Sequence, residues 1–126
     1  MIESAIRDDL IRITGLKVFP LLLPQGVYSG ITYQRISDPE VDTGLLRTGL
    51  VAGRFQITIY IESDYTQLVK LDAEIWKKWR EIQHSFIADY PVQYVRRASL
   101  SEGKETLTSG AVLYSRTRDY IITFAE

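Results

Sequence analysis

The sequence predicts an α+β fold, an antiparallel or mixed sheet of about four strands with two helices packed on one of its faces. Three observations predict it. Phe55, Ile57, Ile59 and Ile61 alternate strictly with Arg54, Gln56, Thr58 and Tyr60, the period of two expected when a strand buries one face. Leu68, Leu71, Ile75, Trp79, Ile82 and Phe86 recur at helical spacing and fall within about 80° of arc, narrow enough to lie on a sheet. The patterns follow one another as α-β-β-α-β-β along 126 residues, a length that suits a single domain, 1–126.

The first element is a helix from Ile2 to about Thr14. Ile2, Ala5, Ile6, Leu10 and Ile13 share one face, and Gly15 stands where a helix stops. Asp9 falls near that apolar face and Ile11 lies opposite it. From Lys17 to Gly26 two prolines exclude a helix and favour an extended arm ending in a turn, with Leu21, Leu22 and Leu23 in need of cover. Ile31–Ser37, rich in β-branched and aromatic residues, reads as a strand that Asp38-Pro39 ends. A loop through Glu40, Asp42, Gly44 and Gly49 leads to the longer strand, Val51–Glu62.

Asp64, with Gln67 three residues on, opens the second helix as a capping-box-like pair. Its solvated face carries Lys70, Glu74, Lys77, Glu81 and His84, and Asp89 and Pro91 close the segment. Val92–Leu100 and Val112–Ala125 read as two final strands joined by a polar turn, Ser101–Gly110.

Composition narrows the chemistry. The 15 basic and 16 acidic side chains nearly cancel, which argues against a sequence-independent nucleic-acid binder, since that needs surplus positive charge. Zero cysteines excludes a disulfide framework, a thiolate metal site and cysteine catalysis, and one histidine cannot build a multi-histidine metal site. The N-terminus lacks a basic region followed by an apolar stretch, so no signal peptide is expected. The longest apolar passage, Val18–Leu23, is too short to cross a bilayer. No cofactor, metal or membrane partner is expected.

Candidate sites remain few. His84 reads as a surface residue. Asp38, Glu40 and Asp42 stand at alternate positions, which could gather oxygen ligands for a divalent cation but equally describes a solvated loop. Gly44, Gly49 and Gly53 lack the strand-to-helix context and the lysine of a phosphate-binding loop. Arg96, Arg97, Arg116 and Arg118 form two basic pairs on strands expected to be neighbours, suited to an acidic partner or phosphates, or to guarding a sheet edge. Tyr28, Tyr33, Tyr60, Tyr94, Tyr114 and Tyr120 lie in or beside strands, several on faces shared with arginine, the types enriched at contact cores. Trp76, at the flank of the helical stripe, either covers the core margin or anchors a subunit contact.

The N-terminal helix, Val18-Phe19-Pro20, Pro24-Gln25-Gly26 and Tyr33-Gln34-Arg35-Ile36-Ser37, in that order, resemble the tail-completion proteins of long-tailed bacteriophages. The likeness continues through a Gly-bearing loop, Phe55-Gln56-Ile57-Thr58-Ile59-Tyr60, a helix opened by Asp64-Tyr65, and a last strand with Arg118-Asp119-Tyr120. The chain looks like the broad structural group of the tail terminators of lambda-like phages, over nearly its whole length. Ser29-Gly30 stands where that family often has proline.

The resemblance implies a structural protein, not an enzyme, that closes into a ring, typically a hexamer, at the head-proximal end of the tail tube. There it stops tube polymerisation and presents a surface to the head–tail connector. Its partners are then further copies of itself, the major tail-tube protein and the connector, and DNA passes through without sequence-specific binding. Its place is the virion, after assembly in the bacterial cytoplasm. A ring needs heterologous contacts. The candidates are Ile11, Leu21, Leu22, Leu23, Tyr33, Arg35, Tyr60, Trp76, Arg96, Arg116 and Arg118. The Asp38–Gly49 loop, with Asp38, Glu40, Asp42 and Arg47, is the candidate lumen or axial-partner segment. Two other readings stay open: a free-standing α+β module that binds a small ligand or peptide among its tyrosines, and an enzyme using the strand arginines on an anion.

Overall fold

The strictest alternation in the sequence becomes β4 (Leu46–Glu62), a strand that pairs with three others. In the computed structural model, which describes all residues Met1–Glu126, it stands among α1 (Ile2–Thr14), β1 (Val18–Pro20), β2 (Gly30–Ser37), β3 (Glu40–Thr43), α2 (Tyr65–Trp79), β5 (Gln83–Ile87), β6 (Tyr90–Thr106) and β7 (Val112–Ala125). The strands run in the order β1-β2-β4-β7-β6-β5, with β3 also paired to β4. Only β1 and β2 are parallel, so the sheet is mixed, and it curls into a half-barrel around the two helices. The α+β class is therefore as expected, with seven strands where about four were expected.

The three additional strands are short and lack an amphipathic signature. Within the Lys17–Gly26 arm, Val18–Pro20 pairs in parallel with Ile31–Tyr33. The expected loop after Asp38 is a hairpin instead. β3 pairs back on Leu46–Val51 through the turn Gly44-Leu45, and positive φ at Gly44 (68°) and Gly49 (76°) lets the chain reverse and shift register. Both faces of this hairpin are wet, so no alternation marked it. The expected second helix also ends early, at Trp79. Beyond it Gln83–Ile87 pairs with Tyr90–Tyr94 across a tight turn in which Ala88 takes φ 51°. Ile82 still reaches the core, whereas Phe86, expected in the helical stripe, is exposed. His84 and Glu81 consequently lie off the helix. Finally β6 continues to Thr106, so the polar turn shrinks to Leu107–Ala111.

Elsewhere local chemistry acts as expected. Gly15 (φ 73°) closes α1, its N–H bonded to the Ile11 carbonyl at 2.8 Å, and the Asp64 carboxylate accepts the Gln67 N–H at 3.0 Å to cap α2. One cluster of 21 buried apolar residues fills the space between sheet and helices, with Phe55, Ile57, Ile59 and Ile61 facing Leu68, Leu71, Ile75 and Trp79. Asp9, near the apolar face of α1, is buried because it accepts the Trp79 indole N–H at 2.7 Å and pairs with Arg12.

Candidate functional site

The helix-facing side of the sheet holds two groups of arginines that are turned inward. Arg35 on β2 lies opposite Phe55 in the ladder. Its guanidinium sits 5.4 Å from the ring centres of both Phe55 and Phe124. Three carboxylates hold it there: Glu3 of α1 at 2.9 Å, Asp38 at 3.1 Å and Glu126 at 2.6 Å. Burial lowers its pKa, but hydrogen bonds to Glu126 and Asp38 and the field of Glu3 outweigh that and raise it. Arg35 thus ties the first helix, a central strand and the C-terminus together.

On β7, Arg116 and Arg118 project under α2 onto one buried carboxylate oxygen, Asp72 Oδ2, at 3.2 and 3.0 Å. Asp72 lies at the margin of the helical stripe, 40° beyond the Leu68 direction at 100° per residue. Arg116 also faces Glu102 on β6 at 3.7 Å, and Glu102 accepts the Tyr65 hydroxyl at 2.7 Å. Arg116 meets Asp72 through its Nε as an ion pair rather than a well-aligned hydrogen bond, and the Nε of Arg118 and the hydroxyl of Tyr120 are buried without a hydrogen-bond partner. Burial, followed by the charge of Asp72, pushes the Tyr120 phenol well above the usual tyrosine range, against the opposing pull of Arg118, Arg97 and Arg116. Arg97 stacks over Trp76 at 4.9 Å and closes the margin of this cluster.

The opposite side of the sheet has no helix over it. Its centre is polar and nearly neutral. Arg54 pairs with Asp119 at 2.8 Å, Gln56 donates to the same carboxylate at 3.4 Å, and the Thr58 and Thr117 hydroxyls meet at 2.9 Å. Thr32, Thr58 and Asp119 are nevertheless buried on this side, without a helix over them.

The most exposed leucines lie in two places, while Phe86, Tyr94 and Leu100 are exposed elsewhere on the sheet. Beside β1, Leu21 and Leu22 are 65% and 70% exposed, next to a cleft lined by Met1, Pro20 and Tyr33. Leu21 takes φ 70° while the Leu22 N–H bonds back to the Pro20 carbonyl at 2.8 Å, a strained γ-turn that holds both leucines outward. At the tip of the β3–β4 hairpin Leu45 is fully exposed and Leu46 is 71% exposed.

Of the residues singled out from the sequence, Ile11, Leu21, Leu22 and Arg96 are exposed, Leu23, Tyr33, Tyr60 and Trp76 are half-buried, and Arg35, Arg116 and Arg118 are engaged internally. Arg116 and Arg118 cannot guard an edge, because β7 lies between β4 and β6, and they do not stand directly opposite Arg96 and Arg97 in the ladder. Asp38 is taken by Arg35 and Glu40 lies 3.6 Å from Arg47, and no three His, Asp or Glu side chains gather into a metal-ligand set. His84 is exposed and hydrogen-bonds Gln93 at 2.6 Å. Sequence reasoning missed Asp72, whose signal was an acid at the stripe's margin, and Leu45-Leu46, whose signal was two leucines beside Gly44 in an otherwise polar segment.

The fold and these surfaces define a small α+β domain with one apolar core, ion pairs tying its sheet to its helices, and exposed leucine pairs beside β1 and at the β3–β4 tip. Compared with known proteins, the chain matches no family model and none of the curated proteins.

Proposed function

We propose that this chain is a structural tail-completion protein of a long-tailed bacteriophage or prophage. In this reading it forms a ring, hexameric as the resemblance implies, that ends the tail tube and joins it to the head connector. The observation that carries the reading is the separation of Leu21-Leu22 from the Leu45-Leu46 hairpin tip, two unlike apolar patches on one subunit. Closed rings are built from such pairs of different patches meeting between successive copies. The nearly neutral polar face of Gln56, Thr58, Thr117 and Asp119 suits a lumen through which DNA slides, since it offers phosphates no free cluster of cations. Arg35, Arg116 and Arg118 serve the fold of the subunit, and the contacts fall to the leucines, Ile11, Tyr33, Tyr60 and Arg96.

The largest surface cleft is poorly suited to a small ligand. The 580 Å³ cleft between the helices is lined by Asp9, Arg12, Glu74, Lys77 and Lys78 with Ile13 as its one apolar residue, poor material for holding an organic molecule. The test is assembly. Purified chain added to growing tail tubes should bind one end and stop elongation, and the variant Leu45→Ser/Leu46→Ser should fold normally yet fail to do so. Tubes that grow unchecked in the presence of folded wild-type chain contradict the reading.

A further inference from the structure

Two stretches of strand edge in this molecule have no neighbour. β5 covers β6 only from Tyr90 to Tyr94, so the main chain of β6 from Val95 to Thr106 is paired on its β7 side alone. On the other side of the sheet β1 covers β2 only at Ile31–Tyr33, leaving Gln34–Ser37 and β3 open outward. An unpaired edge presents a row of N–H and C=O groups ready to accept another strand.

We propose that these two edges pair with each other between copies, β6 of one subunit against β2–β3 of the next, so that the sheet runs continuously around the assembly. The proposal rests on the self-assembling reading above and names its interface. Strand direction permits it: β6 runs the same way as β4, and β2 and β3 run opposite to β4, so a neighbour in the same orientation offers an antiparallel partner. Pro39 does not block it. The Pro39 carbonyl accepts from Ala52 at 2.9 Å, and in an antiparallel ladder the N and C=O of one residue point the same way, so the missing donor lies on the β4 side.

Charge also matches. Arg96, Arg97 and Lys104 exceed Glu102 and Glu105 by one on the β6 edge, while Asp38, Glu40 and Asp42 exceed Arg35 and Arg47 by one on the other. The two edges are offset along the strands. The open part of β6 spans the levels of Gly53 to Glu62 on β4, whereas the open part of β2 and β3 spans Leu46 to Gln56. Pairing therefore staggers each copy along the strand direction, the shear that a ring of tilted strands requires. It also brings one copy's Leu45-Leu46 tip to its neighbour.

Because the chain has no cysteine, disulfide trapping tests this directly. Cysteine is placed on β6 (Ser99→Cys, Ser101→Cys or Glu105→Cys) in all combinations with β2–β3 (Ser37→Cys, Val41→Cys or Thr43→Cys), and the purified full chains are oxidised. The expected result is a ladder of covalent oligomers ending at the ring size for the pairs that share a register, with every single variant remaining monomeric on a denaturing gel. Oligomers by light scattering without any ladder overturn the edge pairing and leave the ring reading standing. Covalent dimers from a single β6 variant overturn it in favour of two-fold pairing of like edges. A chain that is monomeric at all concentrations and forms no ladder overturns both.

Discussion

Replacing Asp72 by asparagine keeps the shape of the side chain and removes the only buried negative charge between two arginines. Its Oδ2 lies 3.2 Å from Arg116 and 3.0 Å from Arg118, whose side chains are 14% and 11% exposed, and Asp72 itself is 5% exposed. At an effective dielectric constant of about 20 each contact is worth roughly 5 kcal/mol before desolvation and the repulsion between the arginines are subtracted. Breaking a buried pair by removing one partner costs about 3–5 kcal/mol net, because the remaining charges are left uncompensated. Against a domain stability of about 5–15 kcal/mol that is a large fraction. In urea, at a slope of about 2 kcal/mol/M, the unfolding midpoint should fall by roughly 1.5–2.5 M. The triple variant Asp72→Leu/Arg116→Met/Arg118→Met should recover most of the loss, since apolar packing replaces such clusters with little penalty. A loss below about 1 kcal/mol for Asp72→Asn, or a triple variant no better than the single one, refutes the assignment of these arginines to the fold.

Three further substitutions probe other parts of the structure. Tyr120→Phe removes a buried, unbonded hydroxyl while keeping the ring 4.9 Å from Trp79, so chemical denaturation should show about 1 kcal/mol of added stability. The unfolded chain sheds this proton near pH 10 and the folded one holds it to higher pH. Its contribution is therefore complete below about pH 10 and is lost as the pH rises further, and the variant should lose that part of the alkaline destabilisation. Gly53→Ala would place a methyl 2.7 Å from the Phe55 ring and 2.9 Å from the Phe124 ring beneath the Arg35 guanidinium, and thermal melts should show a loss of about 1–3 kcal/mol. Leu21→Gly relieves the positive φ and removes an exposed side chain. Equilibrium unfolding should find stability unchanged or raised by up to about 1 kcal/mol, while ring formation weakens.

The sequence carries its structural information unevenly. Where one face of an element is buried and the other wet, as in Phe55–Ile61 and Leu68–Trp79, periodicity reveals both element and core. It misleads at Phe86, which continues the helical spacing in a segment that the β6 ladder draws into a strand, while Ile82 reaches the core from the turn after the helix. It is silent at β3 and at Ser101–Thr106, where both faces meet water and only cross-strand pairing fixes the conformation. The candidate contacts divide in the same way. Exposure of Ile11 is legible from local pattern, whereas that of Leu21 and Leu22 is not, since the sequence says only that they need cover. The commitment of Arg116 and Arg118 to Asp72 arises from residues more than forty positions apart. No local reading reveals such a pairing. An arginine on a strand looks the same whether a partner protein or the domain's own helix neutralises it.

The central claim, that this chain ends a tail tube and joins it to a head, is tested most directly by deleting its gene from the phage genome that carries it and examining the lysate by electron microscopy. The account predicts filled heads beside overlong or unjoined tails, with normal particles restored by supplying the wild-type chain but not Leu45→Ser/Leu46→Ser. Joined particles with tails of normal length in the deletion lysate would contradict it.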